Sequence, residues 1–347
     1  MAVGWEASLN SSRDKRWTIA VLVLLLTACS GTAPSALEPK GPAAGRIAGL
    51  WWFMFWTSAA VVAFIGGLLL FGIVRRRRSE SEARTESSEG PSVRRWEGRL
   101  LLIGGVVGPV LILFALWLFT LRDLHFQATG FRSASLTVEV RGRLWWWDVR
   151  YPAQGVVTAN EIHIPAGRRV LLRLTTNGVI HSFWVPQLAG KTDMISGRTT
   201  EMWLQADRPG VYRGQCAEYC GRQHAHMIFL VIADPPARFD AWIAQQSAVP
   251  PPPIAEQLRR GRTVFETNPC AACHTLRGTA ATGRVGPDLT HFASRRTIGA
   301  GTVPNRRGDL ASWIVDSQSI KPGNLMPPMQ LSAKDLEALI AYLESLH

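Results

Sequence analysis

The chain has 347 residues, 47% of them hydrophobic, with 38 Lys and Arg against 26 Asp and Glu for a formal charge of +12. That length exceeds one compact domain, and the apolar share supplies both cores and membrane spans. The basic excess clusters at membrane flanks and otherwise scatters among acids, without the aromatic-interleaved basic stripe that would suit a nucleic acid, so no nucleic-acid partner is expected.

Lys15 and Arg16 precede the apolar run from Trp17 to Leu26, followed by small residues, which is the layout of a secretory signal over 1–28. Leu26-Thr27-Ala28-Cys29 resembles the bacterial lipoprotein box, in which the cysteine is lipidated and becomes the new N-terminus; the alternatives are ordinary cleavage or retention as an anchor. Residues 29–49, rich in Pro, Gly and Ala, read as a linker. Leu50 to Val74 and Leu100 to Leu121 each exceed the length of about 20 apolar residues that crosses a bilayer, which predicts a transmembrane hairpin over 50–122. Arg75 to Arg78, with Arg84, Arg94, Arg95 and Arg99, make the connecting loop cytoplasmic. Both ends then face the periplasmic or extracellular side of a bacterial cytoplasmic membrane.

From Phe131 the composition changes to short alternating runs, Leu136 to Val140, Glu161 to Ile164, Val170 to Thr175, Thr199 to Gln205 and Met227 to Ile232. They predict an antiparallel Greek-key sandwich over 131–246, with a ligand-rich loop between its last two strands and Ala237 to Gln246 as a closing helix. The Pro-rich segment 247–253 is a stiff linker. Beyond it, 254–347 reads as all-helical, with helices over Glu256 to Phe265, Leu310 to Asp316 and Ser332 to Leu346, the last capped by Ser332.

The loop from Gly214 to Met227 packs Cys216, Glu218, Cys220, His224, His226 and Met227 into fourteen residues. Soft thiolate and thioether donors beside imidazole suit a redox copper centre better than structural zinc, and His181 lies upstream where a strand end could deliver it. Cys270-Ala-Ala-Cys273-His274 is the attachment signature for c-type haem: two thioethers hold the porphyrin while His274 ligates iron. Each of the five cysteines thus falls in its own local context, Cys29 in the lipoprotein-like box and the others in the two paired motifs, and none is left over, which argues against a disulfide scaffold.

Residues 254–347 resemble class I cytochrome c domains. The resemblance implies Met326, in its Met-Pro position, as the second axial ligand in preference to Met329, and a Pro287 carbonyl that orients the His274 ring. Cys216-x3-Cys220-x3-His224-x2-Met227 with His181 resembles the dinuclear copper (CuA) domain of cytochrome c oxidase subunit II, a cupredoxin-like fold. It implies that Cys216 and Cys220 bridge two coppers, that His181 and His224 each ligate one, and that Met227 and the Glu218 carbonyl complete the set. It further implies a magnesium or manganese ion held by the Glu218 carboxylate at the interface with the catalytic subunit, near Lys191-Thr192-Asp193.

Trp145 occupies the electron-entry position of that family, although Leu144 and Trp146 stand where Gln and Tyr are usual, and a half-buried strand is the other reading of the Trp triplet. Glu97 is a weaker candidate for a membrane-proximal proton-feeding Glu, a solvated boundary charge being the alternative. His226 is read as a neighbour rather than a ligand, and His163 and His125 as ordinary surface or interfacial histidines.

Taken together, the motifs resemble subunit II of a caa3-type haem-copper oxidase with a fused cytochrome c. That implies subunit I and subunit III as partners, an external donor to haem c, and oxygen reduction in the catalytic subunit, with no catalytic residue in this chain. The basic balance favours a neutral or acidic donor. A nitric oxide reductase subunit with the same copper centre is the nearest rival, and a membrane-anchored copper-delivery or thiol-redox protein is a rival from another class.

Overall fold

The computed structural model describes residues 34–79, 98–99 and 101–347, side chains of 77–79 excepted. The expected signal segment 1–28, Cys29 and Glu97 lie outside those residues.

Helix α1, Pro42–Ser79, opens on a proline, where a missing N–H removes no helical bond. It therefore begins inside the segment expected to be linker. Ala43, Ala44 and Ala48 explain the difference: these small side chains are buried, and the Ala44 N–H donates to the Leu188 carbonyl at 3.2 Å, so the first turns rest on the β domain. A π-helical turn, Ile103–Val107, leads into α2, Gly108–Arg132, which outruns its expected end at 122 for a similar reason. Phe126 meets Trp203 edge-on at 5.4 Å, and the Trp203 Nε1–H donates to the Gln127 carbonyl at 3.0 Å. Both helices are long and apolar enough to cross a membrane, and their apolar residues lie on the surface.

Ten strands follow: β1 Leu136–Arg143, β2 Trp146–Tyr151, β3 Val156–Ala159, β4 Glu161–Pro165, β5 Val170–Thr176, β6 His181–Trp184, β7 Thr192–Met194, β8 Thr200–Leu204, β9 Gly210–Cys216 and β10 Ile228–Asp234. They form two five-stranded sheets, ordered β3-β2-β1-β5-β8 and β4-β10-β9-β6-β7. The expected β-sandwich is present, with one parallel ladder in each sheet, β1 with β5 and β10 with β4. Those ladders arise because β4 crosses to the second sheet, which leaves β5 to return beside β1 in the same direction. Alternation along β1 turns Leu136, Val138 and Val140 inward, as a two-sided strand requires. Trp147, Phe183 and Phe229 fill the middle, with Phe183 stacked on Phe229 at 4.3 Å and Trp147 edge-on to Phe229 at 4.9 Å.

Helix α3, Pro236–Ser247, closes the sandwich. His163 stacks on its Trp242 at 4.0 Å and places Nδ1 2.8 Å from Asp234, so it pins this helix rather than standing on the surface. His125 is exposed on α2.

The last segment carries α4 Glu256–Thr267, the short α5 Cys270–Cys273, the hairpin β11 Thr297–Ile298 with β12 Val303–Pro304, α6 Arg307–Ile320 and α7 Ala333–Glu344. Phe265, Leu310, Ile314, Leu339 and Leu343 form its core. Ser332 caps α7 as expected, its Oγ accepting the Asp335 N–H at 3.1 Å. Helix α6 breaks at Asp316, whose φ of −150° and ψ of 86° are not helical. Its carboxylate accepts the Gln318 N–H at 3.0 Å and restarts the chain in a new direction that ends at Lys321.

Candidate functional site

Two backbone ladders hold the ligand-rich loop. On one side Phe183 of β6 pairs with Cys216, and the Ala217 N–H donates to the Ser182 carbonyl at 3.0 Å. On the other, the Cys216 N–H donates to the Met227 carbonyl at 3.0 Å. The loop between β9 and β10 is therefore pinned at both ends, with His181 delivered by β6.

The side chains converge. Cys216 and Cys220 place their sulfurs 3.7 Å apart, His181 Nδ1 lies 3.7 Å from the first and His224 Nδ1 3.7 Å from the second. Met227 Sδ is 3.8 Å from Cys220 Sγ, and the Glu218 carbonyl is 3.2 Å from Cys216 Sγ. His181, Cys216, Cys220 and Met227 are buried, while His224 is half-buried at the rim. Both thiols are free. Their mutual hydrogen bond holds Cys216 down to about 3 and pushes Cys220 up, the behaviour of a pair that sheds one proton readily and the second only with help. Two thiols, two imidazoles, a thioether and a carbonyl, converging in a pocket largely closed to water, fit a soft redox metal.

The Glu218 carboxylate turns away from this pocket, to 3.8 Å from Lys191 Nζ, which is also 3.8 Å from Asp193. His226 is exposed and its Nδ1 meets Gln223 Oε1 at 2.9 Å, outside the donor set.

In the helical domain, Cys270, Cys273 and His274 face a largely apolar cavity with about 1340 Å³ of space, its open mouth included. Met326 and Met329 both line it. Met329 also packs against the helical core, whereas Met326 is fixed through its backbone, with its N–H on Asn324 Oδ1 at 2.7 Å and its carbonyl accepting Ser317 Oγ at 2.8 Å. The His274 Nδ1–H donates to the Pro287 carbonyl at 2.7 Å, leaving Nε2 as the free nitrogen. Burial pushes His274 below its ordinary value, the direction that favours the neutral ring a ligand needs. Gly286 is required by close approach, because a Cβ there would lie 2.5 Å from His274 Cε1. A cavity with two free thiols at one wall and a fixed imidazole beside them fits a covalently held porphyrin.

The Trp triplet divides three ways. Trp147 is fully buried in the sandwich, Trp146 is half-buried with Arg143 5.4 Å above its ring, and Trp145 precedes the strand. The Trp145 indole N–H donates to the Cys220 carbonyl at 2.9 Å, and the same residue lines the cavity of the helical domain. Sequence reasoning missed a residue beside it. Lys321 is 2% exposed and donates to the carbonyls of Trp145 at 3.0 Å, His226 at 2.8 Å and Gly299 at 2.6 Å. Burial pushes it down to about 7, against the opposing pull of nearby Cys220; its three carbonyl acceptors match the three N–H groups of the ammonium form. A lone lysine before Pro322 gives no sequence signal for such a role.

Two membrane-crossing helices, a cupredoxin-like sandwich with a thiol–imidazole centre and a helical domain with a haem-attachment cavity define a membrane-anchored electron-transfer chain. Residues 153–233 match the model of the cytochrome c oxidase subunit II periplasmic domain, and residues 258–347 match that of cytochrome c. The chain is 35% identical to cytochrome c oxidase subunit 2 of Alkalihalophilus pseudofirmus over 335 residues, covering 94% of this chain and 95% of that protein. It is 30% identical to cytochrome c oxidase subunit 2 of Bacillus sp. (strain PS3) over 350 residues, covering 94% and 95%. Among solved structures, the periplasmic domain of cytochrome oxidase subunit II of Bradyrhizobium japonicum is similar at 29% identity and a TM-score of 0.32, covering 33% of this chain and 94% of that one. The chain belongs to the cytochrome c oxidase subunit II family, in a form with a fused cytochrome c domain, and is part of a haem-copper oxidase complex.

Proposed function

We propose that this chain carries electrons from a haem c held by Cys270, Cys273, His274 and Met326 to a dinuclear copper pair, and on to the subunit that reduces oxygen to water. The carrying observation is the paired arrangement of His181 on Cys216 and His224 on Cys220, with the two sulfurs 3.7 Å apart. Copper and haem supply the one-electron chemistry when bound. The residues do the rest. Cys216 and Cys220 would hold the copper as thiolates, His181 and His224 would each supply an imidazole, and Met227 and the Glu218 carbonyl would complete the donor set. The pinned loop keeps these donors in place as the charge state changes, because both its ends belong to sheet ladders.

Subunit I is the immediate partner. The exposed Glu218, Lys191 and Asp193 group is the surface we assign to it, with Glu218 as the protein ligand of a magnesium or manganese ion there. Subunit III and an external donor to haem c complete the assembly, with the two redox domains on the periplasmic or extracellular side. The parent sandwich carries no thioredoxin-like βαβ unit among the described residues, which favours this reading over a thiol-redox or copper-delivery protein.

Metal analysis of the purified complex should find two coppers in this subunit and a mixed-valence copper signal in electron paramagnetic resonance. One copper, or none with full haem, would overturn the reading. Oxygen turnover exceeding nitric oxide turnover by orders of magnitude is expected, and the reverse would move the chain to the rival reductase.

A further inference from the structure

The two redox domains meet along a seam tied mainly by hydrogen bonds between side chains and backbone. The Ile228 N–H donates to the Ala300 carbonyl at 3.1 Å, Gln223 Nε2 to the Pro322 carbonyl at 2.7 Å, and the Arg296 N–H to Glu161 Oε1 at 2.6 Å. Lys321 lies at the centre of this seam. Its three hydrogen bonds go to three segments at once: the β11–β12 turn of the helical domain through Gly299, the β1–β2 turn through Trp145, and the copper loop through His226. Among the described residues no carboxylate pairs with it, and all three acceptors are carbonyls. A buried ammonium so placed would be costly unless each N–H were satisfied, and here each one is.

We propose that Lys321 is an interdomain clasp, a positioning residue that locks the cytochrome domain onto the copper loop and holds the haem cavity against Trp145. The proposal rests on the electron-transfer reading above. Trp145 is the point of convergence: its carbonyl takes the lysine, its indole N–H holds the Cys220 carbonyl, and its side chain lines the cavity. Without the clasp the Pro-rich linker and the remaining seam bonds still hold the cytochrome domain, but Trp145 and the copper loop lose their common fixed point on it, and delivery leans further on the tether's effective concentration.

The test uses the intact oxidase complex with Lys321→Met, Lys321→Arg and Gly301→Ala. The last places a Cβ 2.8 Å from Ile228 Cβ at a left-handed φ of 76°, so both the clash and the backbone strain fall on the seam without touching the lysine. Two readouts are taken: the rate at which haem c passes an electron to copper after rapid reduction, and hydrogen–deuterium exchange over residues 225–230 and 297–304. Lys321→Met and Gly301→Ala should each slow transfer at least tenfold and raise exchange in both segments. The haem spectrum and the copper signal should stay at wild-type values, and Lys321→Arg should recover most of the rate. Wild-type transfer and exchange in Lys321→Met, with both centres loaded, would overturn the clasp. If Lys321→Met fails to assemble, Gly301→Ala decides, and a wild-type rate in that variant overturns it equally. Loss of the dinuclear copper signal in the wild-type complex would instead remove the functional reading on which the clasp stands.

Discussion

Gly286→Ala isolates one steric contact in the haem domain. The position has no left-handed backbone to protect, so its sensitivity comes from the imidazole alone. A methyl there would sit 2.5 Å from His274 Cε1 and 2.8 Å from Nδ1, about 1 Å inside the ordinary separation of roughly 3.5–4.0 Å between carbon atoms. The ring cannot simply slide, since its Nδ1–H is bound to the Pro287 carbonyl at 2.7 Å and the glycine N–H itself donates to the Cys273 carbonyl at 2.8 Å. Overpacking of this kind costs about 1–3 kcal/mol, and loss of the imidazole bond adds about 1 kcal/mol. At roughly 4–8 °C per kcal/mol for a domain of this size, the cytochrome unfolding transition should fall by on the order of 10 °C. Calorimetry of the full-length variant measures the shift, and the haem absorption spectrum reports whether the ring has left its orientation. An unchanged transition with an unchanged spectrum would show that the turn relaxes freely and would refute the argument.

Replacing Met326 with Ala should abolish the thioether-to-iron absorption band, whereas Met329→Ala should keep the band and lower stability by about 2 kcal/mol or more through core loss; the opposite pattern would exchange the two assignments. Ser332→Ala removes the cap of α7 and should cost about 1 kcal/mol, read as a lowered thermal transition of the helical domain. Burial holds His163 below its ordinary value, with Asp234 opposing that shift, so the unfolded chain binds a proton that the folded chain refuses. The sandwich should therefore lose stability as pH falls from about 6.5 toward the lower folded value, and His163→Gln should flatten that part of the curve; an equal slope in both proteins would show that His163 does not contribute it.

The parts legible in the sequence were those whose chemistry is local. Cys270 to His274 and Cys216 to Met227 carry their spacing within one loop, and the helices from Glu256 and Ser332 carry their periodicity within one turn and the next. Strands β6, β7 and β9 were harder because each is short or interrupted by polar and Gly residues, and pairing across the sheet rather than local pattern makes them strands. Extension of α1 back to Pro42 and of α2 on to Arg132 depended on surfaces supplied by Leu188 and Trp203, far along the chain. Lys321 was invisible for the same reason, since its three acceptors are backbone atoms and no residue type announces a carbonyl.

The seam also changes what the basic composition means for a donor. From Ile254 to His347 the chain has eleven Lys and Arg and eight Asp and Glu. Two of the basic residues, Arg295 and Lys321, are buried at 9% and 2% exposure, with Arg295 bonded to the Asp288 carbonyl and Lys321 to the seam. The outward surface is thus close to neutral before the charges of a haem are counted. Trp145, expected as an entry point, faces the chain's own cytochrome domain. Electrostatic steering onto a nearly neutral face is weak. The rate of haem c reduction by an external donor should therefore vary only about two- to threefold between 20 and 200 mM salt, estimated from the screening of a small net charge. A steep fall with salt for an acidic donor would show that a local basic patch, rather than the domain's net charge, guides docking; a steep fall for a basic donor would contradict the charge reading altogether.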